Sequence, residues 1–242
     1  MTAWDELEGL LAIVEKDLKA YYFKPPNISW GILFPLVLAL SFSLRNPEGL
    51  TELAPGLVAL ASLFGTTSME AIVVTFEKRV GALERLFLAP ISLHTIILSK
   101  ILGGAIFGLV ISTVMTLLTT LVLGAQIADI LGFIVIQVLT ALAHSALGAM
   151  VAVSVKEVFE AQTLSNYFRF PMIFLCGVFI PIDEMPALLR PLAYALPLTY
   201  SVEGFKTTMG AGGDITLQAI VLSLYTVALV FTAAHLLKRN LE

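Results

Sequence analysis

Six long apolar stretches divide this chain, and short polar segments separate them. A helix that crosses a bilayer needs about 20 largely apolar residues, at a rise of about 1.5 Å each. The 242 residues are 58% hydrophobic and only 13% charged, with a mean hydropathy of +0.92, outside the usual balance of soluble domains. The pattern predicts an all-α integral membrane protein. Its six predicted transmembrane helices lie near 28–44, 53–75, 99–123, 130–155, 162–181 and 215–237.

The basic residues are distributed unevenly among the polar gaps. If the N-terminus lies in the cytoplasm, all but three of the 14 lysines and arginines fall in gaps on the inner side. The exceptions are Arg45, Arg190 and Lys206. Because lysine and arginine favour cytoplasmic loops, this asymmetry predicts a multi-pass protein of the cell (plasma) membrane with both termini in the cytoplasm.

We interpret residues 1–242 as a single transmembrane domain with three attached segments. Residues 1–24 carry apolar side chains every three or four positions, which predicts an amphipathic helix lying in the membrane interface. Residues 77–90 are strongly charged and predict a short cytoplasmic helix between the second and third spans. Residues 181–213 contain prolines that interrupt any straight helix, so we expect broken, re-entrant helices on the extracytoplasmic side.

Several functions are disfavoured by what the sequence lacks. The net charge of −4 and the absence of a basic run make nucleic acid an unlikely partner on chemical grounds. The chain contains no GxxxxGK[ST], HExxH or GxSxG motif, so we expect no ATP site, no metal site, no cofactor and no catalytic residue in it. The energy for any transport would then come from another subunit.

A few polar residues within the apolar stretches are candidates for gating or for the transport path. Glu70, in the second span, could be wetted from the cytoplasm. His144 lies near the middle of the fourth span, where we expect a hydrogen-bonded histidine between helices, with a proton relay or a substrate ligand as the alternative. Gly104 and Gly108 form a GxxxG motif, which predicts close helix packing.

Two segments of the chain carry motifs. The first is Glu77-Lys-Arg-Val-Gly81-Ala-Leu83-Glu84-Arg-Leu86 with Pro90-Ile91-Ser92. The second is Gly177-Val-Phe-Ile-Pro181, Pro186, Leu192-Ala-Tyr194 and Pro197-Leu-Thr-Tyr200. They resemble the E-x-x-x-G-T-L-E-x-L…P-[IL] loop and the SG-x-x-x-P…P…L…P-x-[TN]-[YH] signature of the membrane subunit of type-2 ATP-binding-cassette (ABC) exporters. Ala82 and Cys176 depart from the family's usual threonine and serine but are close to them in size.

The resemblance implies a division of labour between subunits. Residues 77–90 would form the coupling helix that docks on a separate ABC ATPase subunit, and two copies of that subunit would hold the ATP and Mg²⁺. Two copies of this chain would form a homodimer in the lipid bilayer. The residues implied in ATPase coupling are Glu77, Lys78, Arg79, Gly81, Leu83, Glu84, Arg85 and Pro90.

The cargo is predicted from the apolar and aromatic character of the segment before the sixth span. Phe179, Tyr194 and Tyr200 join Glu70 and His144 as gating or path candidates, and they favour an amphipathic, lipid-like or drug-like cargo. Two alternatives stay open: an ion-coupled secondary transporter or channel, and a membrane enzyme of lipid metabolism that would depend on residues such as His144 or Asp129. A non-transporting scaffold is a third.

Overall fold

A computed structural model describes residues 3–43, 50–210 and 212–241, and every regular element in these ranges is helical. The all-α class is therefore confirmed. The helices are α1 (Ala3–Asp17), α2 (Pro25–Ser43), α3 (Leu50–Arg79), α4 (Ala82–Phe87), α5 (Leu93–Leu123), α6 (Ile130–Ser154), α7 (Val158–Leu175), α8 (Arg190–Tyr194), α9 (Pro197–Met209) and α10 (Thr216–Leu241). A π-helical turn (Leu18–Tyr22) continues α1. Arg45, part of the charge asymmetry, lies outside the described residues.

Four helices in the described ranges are long and apolar enough to cross a membrane. They are Thr51–Arg79 in α3, Leu93–Leu123, Ile130–Ser154 and Thr216–Arg239 in α10, and they match the second, third, fourth and sixth predicted spans. The apolar part of α2 is shorter, and α7 contains Glu160, Arg169 and Pro171 within 18 residues. The helices are those of a multi-pass membrane protein, whereas the count of six stays a prediction.

Helix α3 forms the centre of the bundle. It packs against α2, α5, α6, α7 and α9, and every residue from Ala54 to Ala71 is buried. Helix α10 packs on α6 and α9 and leaves the side chains of Leu224 and Phe231 exposed. The helices around α3 therefore present the apolar surface that would face lipid.

Small residues allow the helices to approach closely around α3. A Cβ atom on Gly148 of α6 would lie 2.8 Å from the carbonyl oxygen of Thr67 on α3, closer than such contacts normally occur. Gly104 and Gly108 of α5 also face α3, where an added Cβ would collide with its side chains. The close packing predicted from the GxxxG motif is thus present within one copy of the chain.

Helix α1 turns its polar side towards the bundle. Trp4, Leu7 and Leu11 of the predicted apolar stripe are exposed by 73%, 46% and 56%. The inward side carries Glu6 and Asp17, whose carboxylates have partners on α5, together with the buried side chains of Ile13 and Val14. The exposed apolar side is what an interfacial helix requires, and that location stays a prediction.

The two ends of the bundle differ. The α4 end carries α1, α4 and the α6–α7 connection, and the α8 end carries residues 176–210. At the α8 end, Leu198, Val202 and Phe205 of α9 are fully buried, and α9 packs against α3 and α6. Residues 181–213 are broken into short helices as expected, and their re-entrant character is untested.

Candidate functional site

The site begins where Gly81 separates α3 from α4. The φ angle of Gly81 is +68°, in the left-handed region that glycine adopts without a steric penalty. The chain turns there, and the six-residue helix α4 follows. Arg79, Glu84, Arg85 and Pro90 are exposed at this end of the bundle, so their side chains are available to another protein.

Leu83 attaches α4 to the bundle. It is 3% exposed and belongs to an apolar cluster with Ile13, Val74, Ile96 and Ala152. These four residues come from α1, α3, α5 and α6. Leu86 and Phe87 of α4 pack against the same cluster. Because interiors are close-packed, a force applied to the exposed face of α4 would reach four helices through this apolar contact.

A buried ion cluster connects α1, α3 and α5 near α4. The side chain of Glu77 is fully buried and accepts hydrogen bonds from the ammonium groups of Lys16 and Lys100. Lys100 also donates to Asp17 at 2.7 Å, and the ammonium group of Lys16 lies 3.0 Å from the other Asp17 carboxylate oxygen. Two carboxylates and two ammonium groups therefore share one site.

The pKa values of Lys16 and Asp17, the two cluster residues on α1, depend on burial and on the other charges of the cluster. Burial raises the pKa of Asp17, the Lys100 ammonium opposes this rise, and the Glu77 carboxylate adds to it. For Lys16, burial lowers the pKa, but the hydrogen bond to Glu77 and the charge of Asp17 outweigh burial, and the net pKa is raised. Removal of one member would leave uncompensated charge in the interior.

The prediction for residues 77–90 did not include Lys16, Asp17 or Lys100, although they surround Glu77. Glu77 and Leu83 are interior, so they would act on an ATPase through α4 rather than by direct contact. A lysine within an apolar span is itself a signal, because such a charge is costly without a partner. Lys100 was therefore recognisable as a candidate from sequence, whereas its partners were not.

Glu6 attaches the first turn of α1 to the start of α5. Its carboxylate oxygens accept from the Ser92 backbone N–H at 3.0 and 3.1 Å and from the Thr95 hydroxyl. The Thr95 hydrogen bond lowers the pKa of Glu6; partial burial opposes this, and the Ser92 backbone bond adds to the lowering. A negative charge at a helix N-terminus is favourable, so α1 and α5 are fastened at this point.

Two basic residues at the end of α3 reach the α6–α7 connection. The Lys78 ammonium donates to the Val155 carbonyl at 3.2 Å, which satisfies a free acceptor at the end of α6. The Arg79 guanidinium lies 3.9 Å from Glu157, and both side chains are well exposed. The α4 end therefore joins α1, α3, α5, α6 and the start of α7.

Glu70 and His144 lie deeper in the bundle, away from α4. Glu70 is fully buried and accepts a hydrogen bond from the Tyr22 hydroxyl. His144 is also fully buried, and neither ring nitrogen has a well-formed hydrogen bond within the described ranges. The expected interhelical hydrogen bond of His144 is therefore not present in this conformation, although its backbone carbonyl accepts from Thr67 of α3 at 3.2 Å.

The aromatic path candidates lie at the α8 end. Phe179 lines a cavity of about 960 Å³, which is large enough for a small-molecule ligand. The Tyr200 hydroxyl donates to the Tyr194 carbonyl at 2.9 Å, so these two tyrosines lie together but do not line the cavity. The cavity walls are Thr51, Glu52, Leu53, Pro55, Ala125, Gln126, Gly177, Val178, Phe179, Pro181, Lys206, Met209 and Gly210.

The arrangement at the α4 end is suited to transmitting movement. Within the parts of the chain that the structure describes, no three His, Cys, Asp or Glu side chains are grouped to hold a metal ion. The contacts that are present are ion pairs, a carboxylate at a helix N-terminus and one apolar anchor. They link an exposed polar helix to the central helices of the bundle.

Comparison with known proteins gives consistent matches over most of the chain. The family model described as ABC-2 type transporter matches residues 8–209. Nodulation protein J of Sinorhizobium fredii is 28% identical over 220 residues, covering 86% of this chain and 82% of that protein. The inner membrane transport permease YadH of Escherichia coli is 24% identical over 190 residues, covering 78% of this chain and 74% of YadH.

A longer relative matches only in part. The probable multidrug ABC transporter permease YbhS of Escherichia coli is 26% identical over 198 residues, covering 80% of this chain. This chain spans about half of that relative, since the match covers 52% of YbhS. The family match includes both α4 and α9, the elements that carry the two sequence motifs. The chain therefore belongs to the ABC-2 type transporter family.

Proposed function

We propose that this chain is the permease subunit of an ATP-driven ABC exporter, moved by an ATPase that docks on α4. The observation that supports this most directly is the arrangement of α4, whose Glu84 and Arg85 are exposed while Leu83 is anchored among four helices. The ABC-2 family is a family of transporters rather than enzymes, and its permeases work with a separate ATPase subunit. The ATP and Mg²⁺ would be held by that subunit.

Movement would pass from α4 to the central helices by two routes. Leu83 would transmit it to the apolar cluster, and Glu77, at the end of α3, would transmit it to α1 and α5 through Lys16 and Lys100. Closure of the ATPase subunits would then shift the helices between inward-open and outward-open states. In this proposal, the predicted coupling residues divide into exposed contact residues and buried transmitting residues.

The complete transporter would be a homodimer with two ATPase subunits in the plasma membrane. Helices α2 and α7 would complete six spans, both termini would be cytoplasmic, and residues 181–213 would re-enter the bilayer from the outer side. The exposed apolar surfaces of α7 and α10 support such an arrangement, since they suit lipid or a second copy.

The proposed cargo is an amphipathic, lipid-like or drug-like molecule. The names of the relatives refer to nodulation and multidrug transport. The cavity beside Phe179 supports this class, because its lining includes apolar residues together with Glu52 and Lys206. Glu70 and His144 would influence the path from within the bundle, and Tyr194 and Tyr200 from its α8 end.

The coupling proposal is tested by reversing charges on α4. The variant E84R/R85E removes the exposed charge pattern without touching Leu83, so the chain should fold and insert normally. We expect copurification of the ATPase to weaken and ATP-dependent export to fall at least ~10-fold, as for loss of paired charges in an interface. The control D183R/E184R makes two charge changes at the α8 end, on exposed residues that an ATPase at α4 would not reach.

The outcome separates docking from general damage. Weaker docking in E84R/R85E but not in the control would support α4 as the ATPase contact. Normal docking and normal export by E84R/R85E would contradict the proposal, because these two charges are the most exposed on α4.

A further inference from the structure

Arg169 is a buried cation without a carboxylate partner among the residues that the structure describes. It lies in α7 and is 1% exposed, and no carboxylate forms an ion pair with it in the described parts of the chain. Its guanidinium donates to the Ser68 hydroxyl and, at 2.5 Å, to the Asn166 side-chain oxygen. The Nε atom has no partner, and the guanidinium carbon lies 4.8 Å from the centre of the Phe64 ring. Buried arginines normally have an anionic partner.

The residues around Arg169 form a polar stripe on α7. Ser165 and Asn166 each lie three or four positions from both Gln162 and Arg169, so the four residues share one side of the helix. The Ser165 hydroxyl and the Gln162 side-chain oxygen are also buried without partners among the described residues. Helix α7 thus carries a polar face with unused hydrogen-bonding capacity, although α3 packs against it.

Glu70, the carboxylate on the neighbouring part of α3, does not form an ion pair with Arg169. Glu70 follows Ser68 by two positions and therefore points to a different side of α3. It accepts from Tyr22 and lies against Gly104 and Gly148 of α5 and α6. No carboxylate among the described residues therefore compensates the guanidinium, which could pair with an anion from outside the chain.

Space for a ligand lies beyond the end of α7. Gly177 and Val178, which follow α7, line the 960 Å³ cavity. Gly177 is about 12 Å from Arg169 at the helical rise per residue. Lys206 also lines this cavity and donates to the Gly177 carbonyl at 2.6 Å, and Glu52 is on the wall as well. The cavity itself is thus of mixed charge, with Glu52 and Lys206 on its wall, and Arg169 lies outside it, further along α7.

We propose that Arg169 binds an anionic oxygen group, a carboxylate or a phosphate, on amphipathic cargo that passes between α3 and α7. This inference rests on the exporter function proposed above and specifies the class of cargo. The planar guanidinium matches both groups. A carboxylate or phosphate would displace the neutral Ser68 and Asn166 oxygens, because it adds an opposite charge and can accept two parallel hydrogen bonds from the guanidinium. The Phe64 ring would move away as α3 and α7 separate.

The test uses the chain in complex with its ATPase, reconstituted in phosphatidylcholine vesicles. ATP hydrolysis is measured with oleoyl lysophosphatidate, oleoyl lysophosphatidylcholine and oleylamine, which share one hydrocarbon chain and differ in head-group charge. Wild type should respond to lysophosphatidate at a concentration at least ~10-fold lower than to lysophosphatidylcholine. R169Q should abolish this preference, R169K should keep part of it, and K238Q, which removes an exposed cation on α10, should keep all of it.

Each outcome has a defined meaning. An unchanged preference in R169Q, no preference in wild type, or an equal loss in K238Q would overturn the anion site. If R169Q does not assemble, an unchanged preference in R169K would overturn it, since lysine lacks the planar fork. Displacement of lysophosphatidate by inorganic phosphate would indicate a free-anion site and overturn the amphipathic cargo. A wild-type chain that binds no ATPase would instead contradict the proposed function.

Discussion

Lys100 is the residue on which the buried ion cluster most depends. It pairs with both Asp17 and Glu77 and is 2% exposed. Replacement by methionine would leave two buried carboxylates with only the half-exposed Lys16 as a partner. We expect K100M to lower the free energy of unfolding by about 3–5 kcal/mol, the usual cost of breaking a buried ion pair. Unfolding in detergent, followed by circular dichroism, measures this.

The control for K100M is K19M, in an exposed pair. The Lys19 ammonium lies 2.5 Å from a carboxylate oxygen of Glu15, one helical turn away, and both side chains are mostly exposed. K19M should therefore change the free energy of unfolding little. The double variant E77Q/K100M should recover part of the loss, because it removes one unpaired charge. Equal stability of K100M and K19M would show that the cluster does not stabilise the fold.

The sequence indicated some of these residues but not their partners. Glu77 was identified through its loop motif, whereas Lys16 is 61 positions away from it and Asp17 is 83 positions away from Lys100. Such pairs depend on how α1 packs against α3 and α5, and spacing along one helix carries no information on that packing. Arg169 was counted among the basic residues on the inner side, and its burial without a carboxylate partner among the described residues became visible only in the structure.

Helix α1 should respond to acid at its first turn. Because the pKa of Glu6 is lowered in the folded state, its contribution is present above the ordinary glutamate pKa of about 4.3 and is lost as pH falls through the lowered value. We expect a spin label at L11C, in a C176S background, to become more mobile as pH falls below the ordinary glutamate pKa of about 4.3 and through the lowered value. Electron paramagnetic resonance line shapes report this mobility.

The matched variant is E6Q, whose amide oxygen still accepts hydrogen bonds but does not titrate. Its label should show no step in that pH range, whereas E15Q, which changes an exposed carboxyl of the same helix, should behave as wild type. The same acid step in E6Q would assign the transition to another group.

The elements were predictable to different degrees. Helices α3, α5, α6 and α10 follow from apolar length alone, and α4 follows from Gly81 and the charges around it. Residues 181–196 were less predictable: the chain has only a 3-10 turn (Ile182–Glu184) and the five-residue α8, because closely spaced prolines interrupt the backbone hydrogen bonds. The apolar stripe of α1 predicted an amphipathic helix but not its inward contacts, which combine the ion pairs of Asp17 and Lys16 with the buried side chains of Ile13 and Val14.

For the whole molecule, the proposed topology places α4 and the α8 end on opposite sides of the membrane. In a C176S background, E84C and D183C put single cysteines on exposed residues of the two ends. We expect a membrane-impermeant maleimide to label D183C in intact cells and to label E84C only after permeabilisation. Labelling yields on intact and permeabilised cells measure this.

The same labelling distinguishes six spans from four. With six spans, Asp183 and Asp214 lie on the opposite side from Glu84, so D214C should also be labelled in intact cells. With only the four long spans, both residues would lie on the side of Glu84, and D183C and D214C would be protected together with E84C. Protection of D183C together with labelling of E84C would reverse the orientation and make α4 inaccessible to a cytoplasmic ATPase. The proposed coupling therefore requires that α4 lies on the cytoplasmic side of the membrane.

The two attachments of α1 to α5 connect the transporter to the physical state of its bilayer. Glu6 holds one end of α1 and Asp17 the other, while Trp4, Leu7 and Leu11 point outward. Because α1 is attached to α5 at both of its ends, a force that acts on α1 is transmitted to α5. If those three side chains rest among lipid head groups, a thinner or more tightly stretched membrane would pull on α5 directly. Turnover would then vary with lipid chain length even at constant ATP.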